Sequence, residues 1–198
     1  MVAVQATLSQ SRFWRVGLHC WSIRCWQVES SFCLAGLQKA VMGRTRCLGY
    51  DLAALDPISR RRFRRRSVHL VPQSAQLCPQ FDALDNVLFA QRLQGKASVA
   101  SCREILHKLA LEDRLHHLPS QLSIGEKQRV CVARGLVTGV PLLLIDEPTS
   151  NLDDNSVLVL VDLFRDAATS GRSLLVVSND SRLSQSADRT VTLTPSST

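Results

Sequence analysis

No uninterrupted hydrophobic run in the 198 residues is long enough to cross a bilayer. The longest apolar stretch, LVTGVPLLLI at 136–145, is about half of the ~20 residues a membrane helix needs, and Gly139 and Pro141 interrupt it. The seven cysteines, at 20, 25, 33, 47, 78, 102 and 131, form no C-x-x-C pair and are odd in number, which argues against a secreted disulfide framework and for reduced thiols. His19 with Cys20, Cys25 and Cys33 fits no standard zinc-ligand spacing. A secretory leader is not expected: Arg24 breaks the apolar part and no convincing small-residue cleavage site follows, so the expected compartment is the cytosol. Internal repeats and low-complexity tracts do not occur. The expectation is one domain over 1–198, with only the PSST tail reading as disordered.

Acidic residues are scarce in the first part of the chain. Residues 1–72 hold twelve basic and three acidic side chains, against twelve and fourteen in 73–198, so the net charge of +7 is a local excess. Much of it is RRRFRRR at 60–66. This run reads as a solvated helix face followed by a strand, SVHLV at 67–71; the alternative is a patch for nucleic acid or lipid headgroups.

What the chain does contain is a sequence of strand and helix signals. Gly43 and Gly49 bracket a short strand-like piece and a turn. Asp82 stands three residues before Asp85 at the head of DALDNVLFAQRL, an acidic variant of the helix N-terminal box. A second helical run covers 99–115, so a helical segment sits between strands. Beyond residue 140 come two continuous apolar runs, VPLLLID and SLLVVS, separated by the amphipathic LVLVDLFRDAA and followed by the shorter TVTLT. Strand, helix, strand in this order implies parallel crossovers, with ligand sites at the carboxyl ends of the strands.

The strongest chemical signal is LLLIDEPTSNLDD at 142–154. A buried strand ending in two adjacent carboxylates can use one to organise magnesium and the other to orient or deprotonate water. Asp146 takes the metal role and Glu147 the water; read in isolation, the same pair equally well caps the next helix.

QLSIGEKQRVCVARGLV at 121–137 resembles the signature motif of the ABC (ATP-binding cassette) ATPases, DEPTSNLD resembles their Walker B and D-loop, and VPQSAQLCPQFDALDNV at 71–87 resembles their Q-loop. The resemblance spans roughly residues 30–193, and its closest flavour is the lipoprotein-release and macrolide-efflux type of transporter ATPase. Only 50 residues separate Gln73 from Ser123, too few for the long coiled-coil insertion of the family's DNA-repair members, so transport is the preferred branch. The resemblance implies an α/β fold with a P-loop NTPase-like parallel-sheet core and an inserted helical subdomain at 82–135, with the Walker B and switch region at 136–198. It implies ATP and magnesium as cofactors, Asp146 and Gln73 at the metal, Glu147 and Asn179 as catalytic groups, and Gln73, Ser123, Gly125 and Asp153 at the nucleotide. The implied partners are an integral membrane permease and a second copy of the chain, with no nucleic acid. The implied place is the cytoplasmic side of the inner membrane, as a peripheral protein. Ser123 and Gly125 would offer a helix N-terminus to an anion held by the second copy. Ile124 and Glu126 replace the family's usual glycine and glutamine, and the Glu126 carboxylate is expected to be mildly repulsive toward a triphosphate.

The family's phosphate loop is missing. G-x-x-x-x-G-K-[ST] occurs nowhere, although only glycines let backbone amides wrap phosphates and lysine supplies the countercharge. Counting back from LAGL at 34–37 puts Trp21 and Trp26 at the glycine positions and Gln27 at the lysine, with Glu29 adding negative charge. Tryptophan has a single codon, TGG, and reading one base later gives GGN, always glycine. Shifted by one base, HCWSIRCWQVE at 19–29 can spell TVGPFGVGKSS, a complete phosphate loop, and Trp14-Arg15 can spell the family's upstream glycine-glutamate pair. The frame would return near residues 30–34. Residues 1–30 are therefore expected to be a degenerate or frame-shifted phosphate-loop region, and the adenine-stacking aromatic has no counterpart. Asn179 stands where the family has a switch histidine, and it cannot carry a positive charge.

The expected outcome is weak nucleotide binding. In a fluorescent-nucleotide titration, the chain should bind Mg-ATP roughly a hundredfold more weakly than a variant carrying TVGPFGVGKSS at 19–29, the loss of about two charge-assisted hydrogen bonds. Equal affinities would refute this.

Overall fold

Strands that are apolar on both faces require cover on both, and this requirement sets the architecture. The computed structural model describes residues 18–20, 31–38 and 45–193, with backbone alone at 18–20 and 191–193. Within them lie β1 (Leu18–Cys20), β2 (Arg46–Cys47), β3 (Tyr50–Asp51), α1 (Pro57–Ser67), β4 (Val68–Val71), α2 (Ala83–Leu93), α3 (Val99–Lys108), α4 (Ile124–Thr138), β5 (Leu142–Asp146), α5 (Asp154–Thr169), β6 (Ser173–Val177), α6 (Ser181–Ser184) and β7 (Val191–Leu193). Residues 31–34 are also helical. One sheet runs in the order β4-β5-β6-β1-β7, every neighbouring pair parallel; β2 and β3 form a separate antiparallel hairpin. The α/β fold expected from the sequence is the one found.

β5 carries LLLID and is buried at all five positions. Its alternation divides the core. Leu142 and Leu144 face a cluster with Val68, Phe63, Leu52, Cys47 and Leu34, which brings α1 and the hairpin onto one side. Leu143 and Ile145 face the larger cluster with Val71, Val130, Ala133, Leu160, Phe164 and Val176, which brings α4 and α5 onto the other. Gly135 lets α4 lie close: a Cβ there would stand 3.0 Å from Val71 Cγ2 and 3.2 Å from His69 Cδ2. Arg172, just before β6, fastens the far end of the helix, donating from Nη1 to Leu136 O at 2.7 Å, from Nη2 to Gly135 O at 3.1 Å and from Nε to Val140 O at 3.0 Å. These carbonyls belong to the last turn of α4 and the segment after it, where a cation is favoured.

RRRFRRR forms part of α1, a helix followed directly by β4, as read. Asp82 caps α2, its Oδ1 accepting from Asp85 N–H at 2.7 Å. The segment 82–135 comprises α2, α3, two 3₁₀ turns (Glu112–Arg114 and Pro119–Gln121) and most of α4, whose helix runs on unbroken to Thr138 against the sheet.

The helical run expected over 99–115 is interrupted. α3 stops at Lys108, and Ala110 takes a left-handed backbone with φ 53°. Leu111 N–H donates to Leu106 O and Ala110 N–H to His107 O, both at 2.9 Å, the paired bonds that close a helix when the residue after the cap turns left-handed. Glycine normally occupies that position, so an alanine there carries no local stop signal. Burial of Leu109 and Leu111 against the core holds the alanine there. Ala110→Gly should therefore stabilise the chain by about 0.5–1 kcal/mol, read as a higher urea midpoint at unchanged slope.

Candidate functional site

Loops leaving parallel strands on the same side converge, and the register aligns three of them. Val71 pairs with Ile145, and Ile145 with Val176. The residues that follow therefore stand along one edge: Gln73 after β4, Asp146 and Glu147 at the end of β5, Ser178 and Asn179 after β6. β1 joins at the same edge, since Leu18 pairs with Val177. It leads toward Trp21, Trp26, Gln27 and Glu29, which lie outside the described residues.

Asp146 is buried, 8% exposed. Burial, and then the neighbouring charge of Glu147, push its carboxyl up to about 6. Among the described residues no lysine, arginine or histidine forms an ion pair with it. A buried carboxylate beside a second one, without a countercharge, is a donor set that favours a divalent cation. Among the described residues no group of three or more acidic, histidine or cysteine side chains is assembled to cage a metal. Two carboxylates at a strand end nonetheless suit magnesium, which keeps waters and takes phosphate oxygens. The carboxylate edge thus fits a magnesium nucleotide; the sequence at 19–29 does not supply the phosphate cradle.

Glu147 has a left-handed backbone, φ 46°, a conformation that costs a non-glycine residue about 1–2 kcal/mol. Its N–H donates to Val177 O at 2.8 Å. Its carboxylate folds across to β6, where Ser178 Oγ donates to Oε2 at 3.0 Å and Asn179 N–H donates to Oε1 at 3.1 Å. Glu147 and Asn179 are therefore brought together, through the backbone of Asn179; its side chain stands exposed. Ser178 Oγ also accepts from Asp180 N–H at 3.1 Å.

Asp180 and Arg182 extend this clasp. Arg182 Nε lies 2.9 and 3.0 Å from the two Asp180 oxygens, Nη2 lies 2.6 Å from Oδ2, and Nη1 makes a close contact with Asp154. Hydrogen bonding from Arg182 is the main reason the Asp180 carboxyl is held down to about 2, with the Thr149 hydroxyl adding. Asp153 caps α5, its oxygens accepting from Ser156 N–H and Oγ–H at 2.9 Å each, and these bonds lower its pKa.

Ser123 caps α4, its Oγ accepting from Glu126 N–H at 3.2 Å, while Glu126 Oε2 accepts from Ser123 N–H at 2.7 Å. The Glu126 carboxylate expected to repel a phosphate is thus committed to a capping box, and Arg114 Nε neutralises it at 3.0 Å. Its pKa is lowered first by the Ser123 N–H. Gly125 is needed locally: a Cβ would lie 3.0 Å from Asn151 O, so the start of α4 rests on the loop after Glu147. Farther along α4, Gln128 Nε2 donates to Pro72 O at 3.5 Å and Arg134 Nη1 to Gln76 O at 2.7 Å, holding the segment that carries an exposed Gln73. Among the described residues no hydrogen bond joins Gln73 or Ser123 to Asp146 or Glu147.

Sequence reading missed Ser178, Asp180, Arg182 and Arg114. A hydroxyl directly after a buried strand was a usable signal for Ser178; the arginines act through folding contacts that no local spacing announces.

The sequence matches the family described as ABC transporter over residues 32–150. An uncharacterized ABC transporter ATP-binding protein of Mycobacterium tuberculosis is 36% identical over 174 residues, covering 86% of this chain and 53% of that protein, so the chain spans about half of that relative's length. The lipoprotein-releasing system ATP-binding protein LolD of Zymomonas mobilis is 38% identical over 161 residues, 79% of this chain and 69% of LolD. Among solved structures, the dimeric ATP-binding cassette MJ0796 bound to ADP and Pi superposes with a TM-score of 0.81 at 25% identity, over 90% of this chain and 80% of that one.

Asp180→Asn should destabilise the chain by about 1–2 kcal/mol at neutral pH, a value reduced for the partial exposure of Arg182. The folded carboxyl titrates below its ordinary value of 3.8, so its contribution is present above about 4 and lost as pH falls toward about 2. Denaturation midpoints of parent and variant should converge over that window; a constant gap would count against the pairing.

Proposed function

The chain belongs to the ABC transporter ATP-binding family, and on that premise we propose that it serves as the nucleotide-binding subunit that energises a separate membrane permease. The observation that carries this is the sheet edge itself, where the buried Asp146 and the clasped Glu147 stand beside Ser178 and Asn179. In this reading Glu147 orients the attacking water and Asn179 takes the switch position. Asp146 and Gln73 serve magnesium and water. Ser123, Gly125 and Asp153 meet a nucleotide held by a second copy, in keeping with the dimeric form of MJ0796. Among the described residues no helix is long and apolar enough to cross a membrane, which is compatible with a peripheral subunit at the cytoplasmic face. Relatives named for lipoprotein release favour export or extraction as the direction of transport.

A second reading is favoured by one observation: the sequence spells no phosphate loop, and the family match begins at residue 32, just past the tryptophans. The chain as written would then be an ATP-incompetent cassette that retains its permease and dimer surfaces.

The test starts from the variant with TVGPFGVGKSS at 19–29. Its phosphate release should fall by roughly a hundredfold or more with Glu147→Gln, as expected for loss of a general base. Adding Asn179→His should raise turnover roughly tenfold, about one charge-assisted hydrogen bond. Equal rates with asparagine and histidine, or an unaffected Glu147→Gln, would refute these roles.

A further inference from the structure

We propose that the exposed face of α1 is a docking surface for anionic lipid headgroups. Phe63, 4% exposed, points into the core and fixes which side of the helix is inward. Ile58, Arg61, Arg62, Arg65 and Arg66 recur at three-and-four spacing and are all exposed, so they form a single outward stripe. Arg60 and Arg64 do not belong to it: Arg60 Nη2 donates to Leu52 O at 3.1 Å and Leu55 O at 3.0 Å, and Arg64 Nη1 to Gly36 O at 2.9 Å. Within the stripe, Arg65 Nε donates to Leu93 O at 3.1 Å, while Arg61, Arg62 and Arg66 have no partner among the described residues.

Nothing described nearby offsets this charge. No arginine from 60 to 66 forms an ion pair among the described residues. Asp56 is engaged by the N–H groups of Ile58 and Ser59, and Asp51 by that of Ala53. Like charges at 61 and 65, and at 62 and 66, repel within the helix, so the stripe does not arise from helix stability. Guanidinium groups are suited to phosphate oxygens, and clustered arginines on one helix face are drawn to an anionic membrane surface.

Two features select lipid over nucleic acid. Ile58, 74% exposed at one end of the stripe, offers an apolar side chain to the headgroup boundary. The aromatic of RRRFRRR is turned inward, which leaves no ring in the stripe on which a base could stack. This surface is independent of the nucleotide site, and its test requires no ATP.

The full chain should sediment with vesicles of phosphatidylcholine and phosphatidylglycerol, not with phosphatidylcholine alone, and should be released by salt. Arg61→Gln, Arg62→Gln and Arg66→Gln should each weaken binding about fivefold, and the triple variant about a hundredfold. The singles read the same effect if the triple is unstable. Ile58→Ser should weaken binding severalfold while leaving the salt dependence unchanged. Absence of binding to the anionic vesicles, or equal binding by parent and variants, would overturn the proposal. Tighter binding to single-stranded RNA or duplex DNA at the same salt, lost in the triple variant, would overturn it in favour of nucleic acid.

Discussion

The parallel pairing of β5 between β4 and β6 is the constraint on which the rest depends. Its four apolar residues are buried on both faces, so the strand cannot slip by one position without exchanging Leu142 and Leu144 for Leu143 and Ile145 between two differently shaped clusters. A fixed register brings the ends of three strands level. That alignment lets the carboxylate of Glu147 reach the donors after β6 and leaves Asp146 buried beside it.

Polar connections then tie the surrounding loops to this edge. α4 holds the segment after β4 through Gln128 and Arg134, and its first turn rests on Asn151. Arg182 joins the segment after β6 to the start of α5. The loops around the carboxylates are therefore held by partners in other elements, which is how a site on loops acquires fixed geometry.

The strands were legible because their signals are local: LLLID and SLLVV are uninterrupted apolar runs, and Asp82 is a carboxylate at a helix start. The break at Ala110 was not, because alanine seldom adopts the left-handed conformation that ends α3 and only the burial of its leucine neighbours enforces it. Asp146 and Glu147 could be named as candidates from their place at the end of LLLID, and Gln73 only from the resemblance of 71–87 to the family's Q-loop. The state of Glu126 could not, since its neutraliser, Arg114, arrives from an earlier turn of chain. Asn179 was legible as a position but not in its manner of contact, which is made by its backbone.

The intimate seating of α4 at Gly135 has a mechanical corollary. Ser123 lies twelve residues from Gly135, roughly 18 Å along the helix axis at 1.5 Å per residue. With one end clamped by Arg172 and the sheet, the helix is a lever with a fixed fulcrum. A tilt of roughly ten degrees there would carry its first turn, which rests on Asn151 and pairs with Arg114, through roughly 3 Å, about a bond-breaking distance for any hydrogen bond made at that end.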